Sequence, residues 1–232
     1  EINKISGEFY AKEHKAYVPQ QAWIQNRTIR DNILFGLPHD PILYHSVLEA
    51  CDLNKDLNIL PGGDMTEIGE QGLNLSGGQK QRVALARAVY VMLYSNPKAS
   101  NSHKEQRYNI CLFDDTLSAL DTFVARNVYR NVMGPEGLLR DKTRIIITNP
   151  KSQTVLRDAD MIIMLKDGEI IESGTFDDLW DKQKDFYDFY MEEGNNGQFQ
   201  LVDELIENCN STNSSQSFDN ISKEDKLIQE EA

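Results

Sequence analysis

Between Leu75 and Leu93, Val83, Ala86, Val89, Tyr90 and Leu93 recur at helical spacing, with Lys80, Arg82 and Arg87 between them. Ser76 opens this run and Gln79 stands three residues on, the Ser-x-x-Gln spacing of a capping box. The pattern predicts a helix whose first turn is Ser-Gly-Gly. Upstream, Phe9 and Tyr10, then Ala16–Val18, predict short strands, the second stopped by Pro19. Residues 28–60 read as helices. Ile29, Ile33 and Leu34 make one apolar face, and Pro41 opens a second helix holding Leu43, Val47, Leu48 and Cys51. Asn109–Phe113 is an unbroken apolar run ending in Asp114 and Asp115, the mark of a buried parallel strand. Val124, Val128 and Val132 mark a helix, and Thr143–Thr148 a second buried strand. Asp160–Leu165 and Glu169–Glu172 flank Asp167-Gly168, a hairpin signal, and closing helices follow at Gly174–Lys182 and Asp185–Glu193.

Two stretches break the pattern. Tyr94–Tyr108 is polar and rich in Ser, Asn and Lys, and reads as a surface insertion of about 94–108. From about Asn195 the chain turns to Asn, Ser, Asp and Glu, so 195–232 reads as a disordered linker with a short helix at Leu201–Glu207. Ser222, followed by Lys-Glu-Asp, is a phosphorylation candidate there; a plain spacer is the other reading. This leaves one folded domain over 1–194, with enough apolar residues for a core.

Composition narrows the field. A net charge of −13 disfavours broad nucleic-acid binding. Cys51, Cys111 and Cys209 are far apart, without metal-ligand spacing, which fits a reducing compartment. No apolar run reaches the length of a membrane span. The first residue is Glu1 rather than Met, so the sequence reads as a piece of something longer.

The chemistry concentrates at two places. A helix start presents unpaired backbone N–H groups and the positive end of its dipole, and glycines there let an anion approach closely. On capping and periodicity alone, Ser76–Gln79 is either an ordinary helix cap or a phosphate site. Asp114 and Asp115 leave the C-terminal end of a strand, where open α/β sheets bind ligands.

The string LSGGQKQRVALARA resembles the signature motif of ATP-binding cassette (ABC) proteins. AYVPQQAWIQNRTIRDNILFG (16–36) is similar to the Q-loop and following segment of their C subfamily, in the first nucleotide-binding domain. The resemblance implies an α/β, P-loop NTPase-like fold with a mainly parallel core sheet and a helical subdomain at about 28–95. It implies ATP and Mg²⁺ as cofactors. Asp114 would hold Mg²⁺ through water, Gln20 would reach the metal and the attacking water, and Asp121 would belong to the D-loop. Asp115 stands where active sites carry a Glu base, and Asn149 where they carry a switch His, which implies a degenerate site. The Walker A pattern G-x-x-x-x-G-K-S/T is absent from the sequence, so the isolated piece is expected to bind ATP poorly.

Leu75, Ser76, Gly77, Gly78 and Gln79 would instead close over ATP held by a second nucleotide-binding domain. Asp31–Gly36 and Thr66–Gly72 match the segments that receive the coupling helices of the membrane domain; burial of Phe35 and Ile68 for packing alone is the competing reading. The implied whole is an exporter at the cytosolic face of a vacuolar or plasma membrane. The alternatives are a soluble, non-transport ABC ATPase and a channel or channel regulator of the same subfamily. Substrate identity is not encoded in such a domain.

Overall fold

A computed structural model describes residues 14–69, 75–94, 108–148 and 153–194. The expected strand at Phe9–Tyr10, positions 70–72 of the second membrane-facing segment, Asn149, insertion residues 95–107 and the linker 195–232 lie outside the described residues. The chain divides into two compact units, Glu1–Asp160 and Met161–Ala232.

The first unit is built on a sheet of strands β1 (His14–Val18), β2 (Tyr108–Asp114) and β3 (Thr143–Ile147), in that order and all parallel. The register places Val18 beside Phe113 and Phe113 beside Ile146. One face carries Ala16, Val18, Cys111 and Phe113, all buried, and helix α4 (Gly77–Leu93) packs on it. The opposite face carries Tyr17, Leu112, Ile145 and Ile147. There the structure departs from the expectation of a buried strand at 143–148: Ile145 is 50% and Ile147 59% exposed. An apolar run states a preference for burial, and what covers the run is a tertiary matter.

α4 is the axis of this unit. Its capping box forms as the spacing predicts: Ser76 Oγ accepts from the Gln79 N–H (3.2 Å), and Gln79 Oε1 accepts from the Ser76 N–H (2.9 Å). Val83, Leu85, Ala86, Val89 and Tyr90 are almost fully buried. Around α4 stand α1 (Ile29–Leu34), α2 (Pro41–Ala50) and α3 (Asn54–Ile59). Thr28 caps α1 through its side chain, and Asp40 caps α2, with Pro41 in the first turn. α1 ends on Phe35 in the left-handed region, followed by Gly36 at φ 87°. The positions marked by Val124, Val128 and Val132 divide between α5 (Thr122–Val128) and a π-helical turn, Tyr129–Met133. Next to that turn Gly137 sits so close that a Cβ would lie 2.6 Å from the Val132 carbonyl carbon. The short α6 (Gln153–Arg157) closes the unit.

The second unit is a hairpin of β4 (Ile162–Lys166) and β5 (Glu169–Gly174), followed by α7 (Phe176–Lys182) and α8 (Asp185–Gly194). Asp167 and Gly168 both have positive φ, as a two-residue hairpin turn of the primed type needs. Phe176, Trp180, Phe186 and Tyr190 form an aromatic cluster behind it.

Candidate functional site

The C-terminal ends of the parallel strands bring the carboxylates together with Gln20. Asp114 closes β2, and Asp115 leaves it in the left-handed region, its N–H donating to the Ile147 carbonyl (2.8 Å). Asp is among the few side chains that tolerate that conformation. Gln20 follows β1 and donates from Nε2 to Asp115 Oδ2 at 3.0 Å. The Tyr17 hydroxyl donates to Asp114 Oδ2 at 2.9 Å, and its own pKa is raised by that bond and by the Asp114 charge. Two carboxylates and a carboxamide oxygen are the hard donors a divalent cation takes, so the residues fit Mg²⁺.

The signature loop lies at the start of α4. The Leu75 side chain is buried, while Ser76 and Gly77 are exposed. Nothing lies within 4 Å of where a Gly77 Cβ would be, whereas a Gly78 Cβ would stand 3.2 Å from the Ala119 carbonyl oxygen. So Gly77 keeps an open approach to the helix start, and Gly78 is needed for contact with the segment before Asp121. Asp121 is the N-cap of α5, its carboxylate accepting from the Val124 N–H at 3.0 Å. The Gln79 carboxamide is engaged within the domain: Nε2 donates to Asp56 Oδ1 at 2.8 Å.

The two expected membrane-facing segments lie side by side. A β-bridge joins Thr28 to Glu67, the Ile29 N–H donates to the Thr66 carbonyl, and the Ile68 N–H to the Arg27 carbonyl. Ile68 is buried at 1% exposure, so packing accounts for it; Phe35 is 50% exposed, its ring packed on one side only, with the Arg87 guanidinium 5.3 Å from its centre. Trp23 meets Phe35 edge-on at 5.5 Å, beside a groove of about 290 Å³ lined also by Leu37, Ala84 and Arg87.

Several of these partners are not legible in the sequence. Gln81, 2% exposed, donates from Nε2 to the Pro19 carbonyl (3.0 Å), directly before Gln20. Arg87 is buried and donates to the Asn32 carbonyl (2.7 Å), to Asn32 Oδ1 (3.1 Å) and to the Trp23 carbonyl (3.3 Å). Its guanidinium stacks on Trp23, 3.9 Å from the ring centre. The Ser-Gly-Gly-Gln string, the paired aspartates and the stretch around Gln20 carried a signal readable without the fold; Gln81 and Arg87 did not.

Comparison with known proteins identifies this assembly. The model of the ABC transporter family matches residues 3–93. The chain belongs to that family, and its α/β fold is that of an ABC ATPase domain. The relatives it matches are of the C subfamily or multidrug-resistance type. It is 49% identical over 197 residues to multidrug resistance protein mrp-7 of Caenorhabditis elegans, covering 85% of this chain and 12% of the relative. It is 45% identical over 213 residues to ATP-binding cassette sub-family C member 3 of Rattus norvegicus, covering 89% of this chain and 13% of the relative. Against sub-family C member 2 of Homo sapiens the identity is 46% over 186 residues, covering 80% of this chain and 11% of the relative. The chain therefore spans about an eighth of the length of such relatives.

Proposed function

We propose that this chain is the first nucleotide-binding domain of an ATP-driven C-subfamily exporter, and that its own nucleotide site is degenerate. The observation that carries the proposal is the start of α4. Ser76 is held in a capping box, Gly77 is open, and first-turn N–H groups have no partner inside a helix. That arrangement accepts a phosphate. LSGGQ then closes over ATP bound by a second nucleotide-binding domain. ATP and Mg²⁺ are the cofactors, with Asp114 and Gln20 on the metal and Asp121 placing the D-loop between the two sites. Asp115 is one methylene shorter than Glu and already tied to Gln20, and Asn149 cannot carry the positive charge of a switch His. Both substitutions favour binding over hydrolysis.

The exposed Phe35 supports docking of membrane-domain coupling helices on Asp31–Gly36 and Thr66–Gly72, and hence a place on the cytosolic face of a vacuolar or plasma membrane. A large aromatic held half-exposed in the left-handed region is a costly way to end a helix that serves packing alone. The test uses the full-length protein in vesicles. Gly77→Asp puts a negative charge into open space at the phosphate site and should abolish ATP-dependent transport, while Asp115→Asn should cost little. Equal losses of ATPase activity in the two variants would sink the asymmetry.

A further inference from the structure

We propose that Asp56 is the positioning residue of the signature loop. The proposal rests on the reading that this loop serves the partner's nucleotide. Asp56 lies in α3, which the sequence marks with no motif. Its Oδ1 accepts from Gln79 Nε2 at 2.8 Å, and its Oδ2 pairs with Arg82 Nη1 at 2.7 Å. Arg82 Nη1 also donates to the carbonyl of Asp52, in the short link between α2 and α3. One carboxylate therefore holds two side chains of the first turns of α4.

The grip decides which way the Gln79 carboxamide points. A carboxamide has a donor end and an acceptor end. With its NH₂ held by Asp56, the oxygen must face back, where it accepts from the Ser76 N–H at 2.9 Å. Ser76 Oγ accepts in turn from the Gln79 N–H at 3.2 Å. That leaves the Ser76 hydroxyl proton free to donate outward, toward a phosphate oxygen. Without Asp56 only the Ser76 N–H still selects the oxygen end, and the carboxamide loses the second of its two anchors. A reversed amide sets NH₂ against the Ser76 N–H, and the box opens. The line of control runs from the Asp56 carboxylate through Gln79 to Ser76, and none of these groups is reactive itself. Asp56 is half-buried, its side chain 17% exposed, so the contact is held largely out of water.

The experiment exchanges donor and acceptor without changing volume, in the full-length protein. Gln79→Glu alone sets two carboxylates against each other. Adding Asp56→Asn restores a donor facing an acceptor and leaves an oxygen for Arg82. Steady-state ATP hydrolysis is measured against ATP concentration, with azido-ATP photolabelling as the readout of nucleotide loading. Gln79→Glu and Asp56→Ala should each lower kcat by roughly 10- to 100-fold, the order expected of a misplacement near 1 Å, with loading unchanged. The double variant should return to within a few-fold of the parent, and nucleotide loading unchanged in every variant separates positioning of the loop from loss of the fold. A double variant as slow as Gln79→Glu alone overturns the proposal. Gly77→Asp serves as control: full turnover there removes the reading beneath the proposal, while an inactive Gly77→Asp beside a fully active Asp56→Ala removes the proposal alone.

Discussion

Replacing Arg87 by Met tests whether a buried cation holds Trp23 and Asn32 to α4. Burial lowers the guanidinium pKa to about 10. At 1.36 kcal/mol per unit this is a penalty of roughly 3–4 kcal/mol for carrying charge inside. Against it stand bonds to the Asn32 carbonyl, Asn32 Oδ1 and the Trp23 carbonyl. Charge-assisted bonds contribute about 1.5–3 kcal/mol each, and desolvated stacking on Trp23 adds roughly 2 kcal/mol. The favourable side wins. Met escapes the charge penalty but leaves acceptors unpaired in the interior, so the expected net loss is about 3–5 kcal/mol. Arg87→Lys should do no better, because an ammonium keeps the buried charge and cannot span Asn32 and Trp23 as the planar fork does. Pulse proteolysis of the full-length protein across a urea series, following this domain's fragment, measures the loss. Should Arg87→Lys retain stability within about 1 kcal/mol of the parent, charge rather than the fork would be the relevant property and the reasoning would fail.

Two further outcomes follow from the same contacts. Gly78→Ala forces a Cβ to 3.2 Å from the Ala119 carbonyl oxygen while Gly77→Ala meets open space, so disulfide trapping between introduced cysteines on the D-loop and the α4 start should change in the first variant and not in the second. The Tyr129 hydroxyl is raised above its ordinary value of 10.0 by burial and then by Asp158, to which it donates at 3.1 Å; its share of stability is complete below pH 10 and lost as pH rises through the folded value, so Tyr129→Phe should flatten the fall in urea midpoint above pH 10 relative to the parent.

Reading the chain without its fold succeeds where the determinant is local. The Ser76–Gln79 box, Pro41 and the Asp167-Gly168 turn each specify their geometry within four residues. It fails where a polar residue is satisfied across the fold. Arg82 and Arg87 fall between the apolar positions of α4 and look like a solvated stripe, yet Arg87 is buried among carbonyls 55 and 64 residues away in sequence. Gln81 is as polar as its neighbours and is nevertheless 2% exposed, because Pro19 supplies an acceptor. Asp56 is silent for the same reason: a carboxylate in a short helix reads as surface until Gln79 and Arg82 are placed beside it. The Asp114–Asp115 pair was legible as chemistry, but the hydroxyl of Tyr17, 97 residues upstream of Asp114, was not legible as its partner.

One face of the sheet, exposed among the described residues, bears on how these residues behave in a test tube. Tyr17, Ile145 and Ile147 stand on it, each at least half exposed, with Leu112 half-buried between them. A parallel sheet left bare on one side is an adhesive surface. Expressed by themselves, the 232 residues should self-associate through it, and any binding curve from such a preparation would report colloidal history as much as ligand affinity. A soluble preparation calls for that face to be covered, whether by neighbouring polypeptide or by polar replacement of Ile145 and Ile147.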